Sequence, residues 1–387
     1  MSNPYDTIIY LDAAATTKCA DDVVAAMIEL SSNHYGNPSS PHTMGRYARR
    51  AIVEATLSIS RLLGCTSEEL TLTSGATESN NIVVLGIAEP DRGQNIVVCP
   101  IDHKSILAAA SESERRGVEV RLMKVNKHGR IDLDHLAQIV DDNTALVTLA
   151  YVNSELGTLQ DLSKITHLLK GKSAIFHVDA SQAAGKLRLN VQDLKIDCMS
   201  LSAHKICGPK GIGALYVSHS SISRLRPLTF GGGQYCLRSG TLPAQLVVGF
   251  GLAAKRINSC DLKSQWKEAD KRRSIIIETL QQHNIHFKLN SPTDCSVPHI
   301  LNIYFPGIRS ETVIHGLPNV CISSGSACNS QSMKPSYVLT QVGHDQERAN
   351  CSIRISFTSD MEIDQLTQGA KLIAEKVFSL QQLKAWS

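Results

Sequence analysis

The chain has 387 residues, of which 42% are hydrophobic and 19% charged, with both signs interspersed and a formal net charge of +3. That balance excludes a disordered chain and forces no nucleic-acid footprint, and the length is generous for one core and comfortable for two. The eleven scattered cysteines contain no CxxC pair, which argues against a disulfide framework and a zinc knuckle.

No apolar leader precedes the first strand, and no apolar run approaches the roughly 18 residues that span a membrane, so a cytoplasmic protein with reduced thiols and no metal site is expected. Taken in chain order, seven short apolar runs predict strands: "LTLTS" (70–74), "NIVVCP" (95–100), "VEVRLMKV" (118–125), "TALVTLAYV" (144–152), "AIFHVDA" (174–180), "DCMSLSA" (197–203) and "GIGALYV" (211–217). Helical patterns lie between many of them, at Ala76 to Ala88, Ser105 to Arg116 and Asp161 to Leu169. Such alternation predicts an α/β fold with a mostly parallel sheet covered on both faces. The basic runs Arg46, Arg49, Arg50 and Lys271 to Arg273 fall in helical patterns and read as solvated helix faces.

Beyond about residue 255 the pattern changes. A long charged helix is followed by the strands "HILNIYF", "NVCISS" and "SIRISF" and by a final helix from about Glu362. A large domain over 15–257 and a smaller α+β domain of 1–14 with 258–387 are expected.

In an open parallel sheet, ligands bind beyond the carboxyl ends of the strands. "TLTSGATESNN" passes from a strand through Ser74 and Gly75 into a helix, whose first amides make an anion site or a plain capped start. "FHVDASQAAGK" ends a strand at Asp179, and "SLSAHKICGPKGIGALYV" sets Ser202, His204 and Lys205 between two strands. Phosphate-cradling amides, a carboxylate for a pyridine nitrogen and a lysine able to condense with an aldehyde are together the parts of a pyridoxal 5'-phosphate site.

The stretches "YLDAAATT", "YGNPSSPHTMGRYAR", "TSGATESNN", "HVDASQAAGK", "SAHKICGPKGIGALYV", "RSGT" and "SSGSAC" closely resemble the cysteine desulfurases of the NifS and IscS type, over nearly the whole chain and in order. The opening motif resembles the branch serving DNA phosphorothioation somewhat more than the housekeeping branch. The resemblance implies a fold type I pyridoxal phosphate enzyme, homodimeric, converting L-cysteine to L-alanine and passing the sulfur from a persulfide on Cys328 to an acceptor protein. It further implies Lys205 as the cofactor-linking lysine and His103 as the ring-stacking, proton-transferring histidine. Asp179 would face the ring nitrogen and Gln182 the phenolic oxygen. Ala76, Thr77, Ser202 and His204 would hold the phosphate, with Thr241 reaching it from the partner subunit. Asn153 and Arg354 would bind substrate, the arginine through its two-pronged fit to a carboxylate.

"SSGSACNSQS" (323–332) then reads as a carrier arm of small residues, with Pro335 marking the next helix start. The remaining ten cysteines, Cys207 and Cys351 among them, read as small core residues. Two stretches depart from the family pattern: "GGGQYCLRSGT" is shorter by about one residue, and "SFTSDMEID" lacks the Gly that often follows the arginine strand. The competing readings are a selenocysteine or cysteine lyase of the same fold, which the long Cys328 segment disfavours, and a non-catalytic partner-binding homologue, which the intact Lys205, His103, Asp179 and Cys328 set disfavours.

Overall fold

The structure is a computed structural model and describes residues 8–89, 92–232, 237–324 and 335–385. The segment carrying Cys328 and part of the shortened stretch before Thr241 therefore lie outside the described residues.

After the short strand β1 (Ile9–Tyr10) come the helices α1 (Asp21–Asn33) and α2 (Thr43–Leu63). An α/β alternation follows: β2 (Leu70–Thr73), α3 (Ala76–Gly86), β3 (Asn95–Val98), α4 (Lys104–Arg115), β4 (Glu119–Leu122), α5 (Leu133–Ile139), β5 (Thr144–Ala150), α6 (Leu162–Leu169), β6 (Ile175–Asp179), β7 (Cys198–Ser202) and β8 (Gly213–Val217). These are the seven strands the sequence predicts, in one sheet of order β2-β8-β7-β6-β5-β3-β4. Only β8 runs antiparallel to its neighbours β2 and β7. Helix starts follow local chemistry. The side chains of Asp132 and Asp161 cap α5 and α6, and α2 ends on Gly64 at φ 68°, a left-handed position that glycine tolerates.

The central strands are buried on both faces, so they read as unbroken apolar runs, yet their period of two still sorts residues between two cores. Ile96 and Val98, Ile175, Cys198, and Leu215 and Val217 pack with α3 and α4. Val97, Phe176 and Val178, Met199 and Leu201, and Ala214 and Tyr216 join the core on the opposite face, which includes α2, α6 and the helix α7 (Ala244–Asn258). The same parity places Asp179 and Ser202 on the α3/α4 side. The sequence reading assigns no element to α7.

The remainder forms a second core around an antiparallel three-stranded sheet. Its strands are β9 (Lys288–Leu289), β10 (Ile300–Tyr304) and, further on, β12 (Ser352–Ser356), in the order β12-β10-β9. Helix α8 (Leu262–Gln282) and the last helix, α12 (Ile363–Ala385), supply Ile276, Leu280, Ile373 and Val377 to this core. Between β10 and β12 come α9 (Ser310–His315), β11 (Val320–Cys321), which pairs in parallel with β1, α10 (Tyr337–Gln341) and α11 (Gln346–Asn350). The helix after Pro335 begins at Tyr337, with Ser336 as its cap. Lys271 and Arg273 pair along α8 with Glu268 and Asp270, as expected of a solvated face. Arg272 departs from that reading: it is buried and donates 2.8 Å to the Met361 carbonyl.

One polar ladder crosses the large sheet. His177 is fully buried on β6, with Nδ1 2.8 Å from Thr148 Oγ1 on β5 and Nε2 2.8 Å from Ser200 Oγ on β7. Burial lowers its pKa from 6.5 to about 4, against an opposing pull from Asp179. Between those values the unfolded chain binds the proton and the folded chain does not, so stability falls as pH drops from 6.5 to 4, by roughly 3 kcal/mol for this residue. The buried carboxyls of Asp102 and Glu155, raised by burial, act with the opposite sign. The test therefore compares wild type with His177→Asn by chemical denaturation at several pH values. The variant is expected to lose stability less steeply with acid, and identical slopes would refute the neutral buried histidine.

Candidate active site

The first turn of α3 presents its amides beyond the end of β2. Gly75, the residue before it, has φ 151° and ψ 176°, a conformation L side chains rarely adopt. A Cβ built on Gly213 would lie 2.6 Å from the Gly75 Cα, so both positions need glycine for the strands and helix to close together. Thr77 is exposed on this turn, beside Ala76, and Ser202 ends β7 facing Gly75.

Asp179 ends β6 and is 6% exposed. Its Oδ2 accepts 2.8 Å from Asn80 Nδ2 on α3, and its Oδ1 accepts 2.9 Å from the Ser181 amide. The same Asn80 nitrogen donates 2.9 Å to Ser105 Oγ. Ser105 lies 2.8 Å from His103 Nδ1 through its hydroxyl and donates its amide to that nitrogen at 3.2 Å. His103 thus caps α4 while its ring stays exposed, with Nε2 as the nitrogen left for other work. Asn80 and Ser105 are the residues the sequence reading misses: the first sits 99 positions from Asp179, and nothing local marks the contact.

Lys205 follows β7 in a single 3-10 turn, Ala203–Lys205. Its Nζ donates to the carbonyls of Ala14 at 2.6 Å and Ala15 at 2.7 Å. The neighbouring His204 lies 3.1 Å from Thr16 Oγ1 through Nδ1, and its carbonyl accepts from both the amide and the hydroxyl of Thr17. Burial, then Lys205, Lys210 and His103, bring its pKa down to about 4, so it offers one N–H donor without a charge. Gln182 donates 2.8 Å to the Ala14 carbonyl, while its Oε1 is buried without a partner. Cys207 takes the left-handed φ of 61° rather than a core position, its amide donating 2.8 Å to Thr17 Oγ1.

Arg354 reaches the same place from β12. It is 3% exposed, with Nη2 2.7 Å from Asp12 Oδ1, Nη1 3.0 Å from the Ser154 carbonyl, and Nε buried and unpartnered. An unpaired buried guanidinium would cost roughly 3–5 kcal/mol, so Asp12 is what keeps this cation in place. Asn153 is also buried, but its amide builds a turn, accepting from Glu155 N and Leu156 N and donating to the Ile101 carbonyl. Only one Nδ2 hydrogen of Asn153 remains uncommitted.

Although Cys328 itself is not described, the flanks of its segment converge on this cluster. The Ser323 backbone pairs with that of Arg354 at 3.2 and 2.6 Å. On the far side, Ser336 Oγ donates 2.5 Å to Glu155 Oε2, and Tyr337 donates its hydroxyl 2.6 Å to the Asp102 carbonyl, next to His103. Thr241 is exposed and lines a groove with His34 and Tyr35 to Pro38, a groove that does not include Lys205.

The donors on hand fit pyridoxal phosphate. A glycine-lined helix start faces a hydroxyl and a neutral imidazole, a carboxylate is held by two donors, and the Oε1 of Gln182 and the Oδ1 of Asn80 are buried without partners. Among the described residues, no group of His, Cys, Asp and Glu is arranged to hold a metal, and no helix is long and apolar enough to cross a membrane.

The class-V aminotransferase family matches residues 9–368. A cysteine desulfurase IscS of Pseudoalteromonas translucida is 39% identical over 365 residues, covering 92% of this chain and 90% of the relative. Among solved structures, a NifS-like protein superposes with a TM-score of 0.89 at 32% identity, covering 96% of this chain and 100% of that one. DndA from Streptomyces lividans superposes at 0.76 with 34% identity over 90% and 99% of the two chains. The chain belongs to the class-V aminotransferase family, among the cysteine desulfurases of the IscS and NifS type.

Proposed function

We propose that this chain is a pyridoxal phosphate-dependent cysteine desulfurase, which takes sulfur from L-cysteine, releases L-alanine and carries the sulfur as a persulfide on Cys328. The observation that carries this reading is the joint tethering of Lys205 and Arg354, from two different sheets, to the single segment Asp12–Thr17. An amine suited to cofactor chemistry and a cation suited to a carboxylate are thereby held at fixed separation.

When bound, pyridoxal phosphate supplies an electron sink for the substrate's α-carbon. Ala76, Thr77, Ser202 and neutral His204 would hold its phosphate, Asp179 its ring nitrogen and Gln182 its phenolic oxygen. Lys205 would hold the cofactor through its aldehyde, and its amine is placed to move the α-proton. Arg354 holds the substrate carboxylate, using the Nε–H that has no partner among the described residues. Asn153 supplies its one remaining N–H.

In the sulfur-transfer step the Cys328 thiolate attacks the substrate sulfur. An S–S bond forms, the C–S bond breaks with its electron pair left on carbon, and a proton completes alanine. An ordinary thiol is only a few per cent ionised at neutral pH, so a base is needed. His103 fills that role through Nε2, since Ser105 occupies Nδ1.

Residues 15–257 form the cofactor-holding unit in this reading, while 1–14 with 258–387 bring Arg354 and Cys328. The enzyme is a homodimer in this reading, and Thr241, which lines a groove that does not include Lys205, completes the partner's phosphate site. A protein takes the sulfur on toward iron–sulfur assembly, tRNA thiolation or DNA phosphorothioation.

Mass spectrometry after incubation with cysteine is expected to find a persulfide on Cys328 and alanine in solution. Both are expected to vanish in Cys328→Ala while cofactor absorbance remains, and undiminished alanine production by that variant would sink the assignment. Replacing the fork of Arg354 by a point charge, Arg354→Lys, is expected to cut kcat/KM for cysteine about a hundredfold, mainly through KM. An unchanged KM would remove Arg354 from the substrate site.

A further inference from the structure

Behind Lys205, on the side the chemistry above does not use, lies a half-enclosed cavity of about 130 Å3. Its walls come from both cores. Gly185, Lys186 and Cys207 belong to the seven-stranded side, Arg256 to the end of α7, and His299 and Asp360 flank the three-stranded sheet.

Charge in this cavity is unbalanced in a specific way. The side chain of Lys186 forms no hydrogen bond or salt bridge with any described residue, although the residue is partly buried. Burial first, then the nearby charge of Lys205, lower its pKa to about 8, which leaves it mainly an ammonium at neutral pH. Gly185, at φ 75°, fixes the turn that aims this residue, and a side chain there would press on Ile257 at 3.1 Å. Arg256 is already answered by Asp22 at 3.0 Å. On the far wall, Asp360 is exposed and has no ion-pair partner among the described residues.

His299 adds an unmet polar atom but no charge. The side chain is 3% exposed, its Nε2 lies 2.8 Å from Ser359 Oγ, and its Nδ1 is buried without a partner. Burial, Lys186 and Arg272 hold its pKa near 3, so it is neutral. What remains for a ligand is one cation, one anion whose charge also acts on Arg256, and a single unsatisfied ring nitrogen, beside small apolar and thiol surface from Ile206, Phe357 and Cys207.

We propose that this cavity binds a free α-amino acid with a small side chain as its zwitterion, the carboxylate on Lys186 and the ammonium on Asp360. The choice of L-alanine as ligand rests on the desulfurase reading, in which alanine is the product. Ala14 forms part of the wall and also holds the Lys205 ammonium through its carbonyl, so the occupant sits against the mount of the catalytic lysine.

Equilibrium dialysis of labelled L-alanine against the cofactor-loaded full chain tests this. Wild type is expected to bind one equivalent per chain more than Lys186→Met or Asp360→Asn, and equal stoichiometry in all three overturns the proposal. Asp360 is exposed, so its substitution leaves the fold intact even if Lys186→Met melts early. Propionate, which lacks the ammonium, is expected to displace this equivalent about tenfold less well than alanine, and equal displacement would reduce the site to a simple anion site and overturn the assignment. Cysteine turnover, measured on the same samples, is expected to stay within about twofold of wild type in both variants. Absence of turnover in wild type would defeat the desulfurase reading while the dialysis still reports on the cavity.

Discussion

The six residues Asp12–Thr17 are the constraint on which the rest of the site depends. They form no regular element beyond a bridge from Asp12 to Ser356, yet Lys205, His204, Gln182, Cys207 and Arg354 are all bonded to them. Asp12 neutralises Arg354, the amides of Ala13 and Ala14 donate to Ser356, the carbonyls of Ala14 and Ala15 take Lys205, and Thr16 and Thr17 hold His204 and Cys207. Two separately built cores are thus fastened through one strip of backbone. Of its alanines, Ala14 is buried in the core of the seven-stranded side.

Electrostatics reinforce this geometry by leaving few uncompensated charges near the lysine. His177, His204 and His299 are all pushed toward neutrality, chiefly by burial, and the carboxyls of Asp102 and Glu155 are pushed toward protonation by the same cause. Two of the charges that persist are paired, Arg354 with Asp12 and Arg238 with Glu78. Lys186 and Asp360 have no ion-pair partner among the described residues, and an uncompensated ammonium near a second lysine is costly enough to call for a reason.

Fold and cofactor machinery were largely legible because they obey local rules. Seven apolar runs became the seven strands, each within a few residues of its expected limits, since a strand buried on both faces cannot hide its composition. Gly75, Asp179 and Lys205 could be placed because strand ends and helix starts are marked by short-range chemistry. Asn80, Asp12 and Ser105 could not. Their contacts depend on which strand lies beside which, and the order β2-β8-β7-β6-β5-β3-β4 is nowhere written in a local pattern.

The sequence by itself determined the seven strands of the large sheet, the strand ends that carry Asp179, Ser202 and Lys205, and the family to which the chemistry belongs. Tertiary structure alone decided that Lys205 rests on the carbonyls of Ala14 and Ala15, that Asn153 is largely spent on a turn, and that Cys207 lines a cavity rather than filling a core. The physical reason is range. Periodicity and capping act within one turn or one strand, whereas hydrogen bonds and ion pairs across 190 or 342 positions exist only after the two cores have docked.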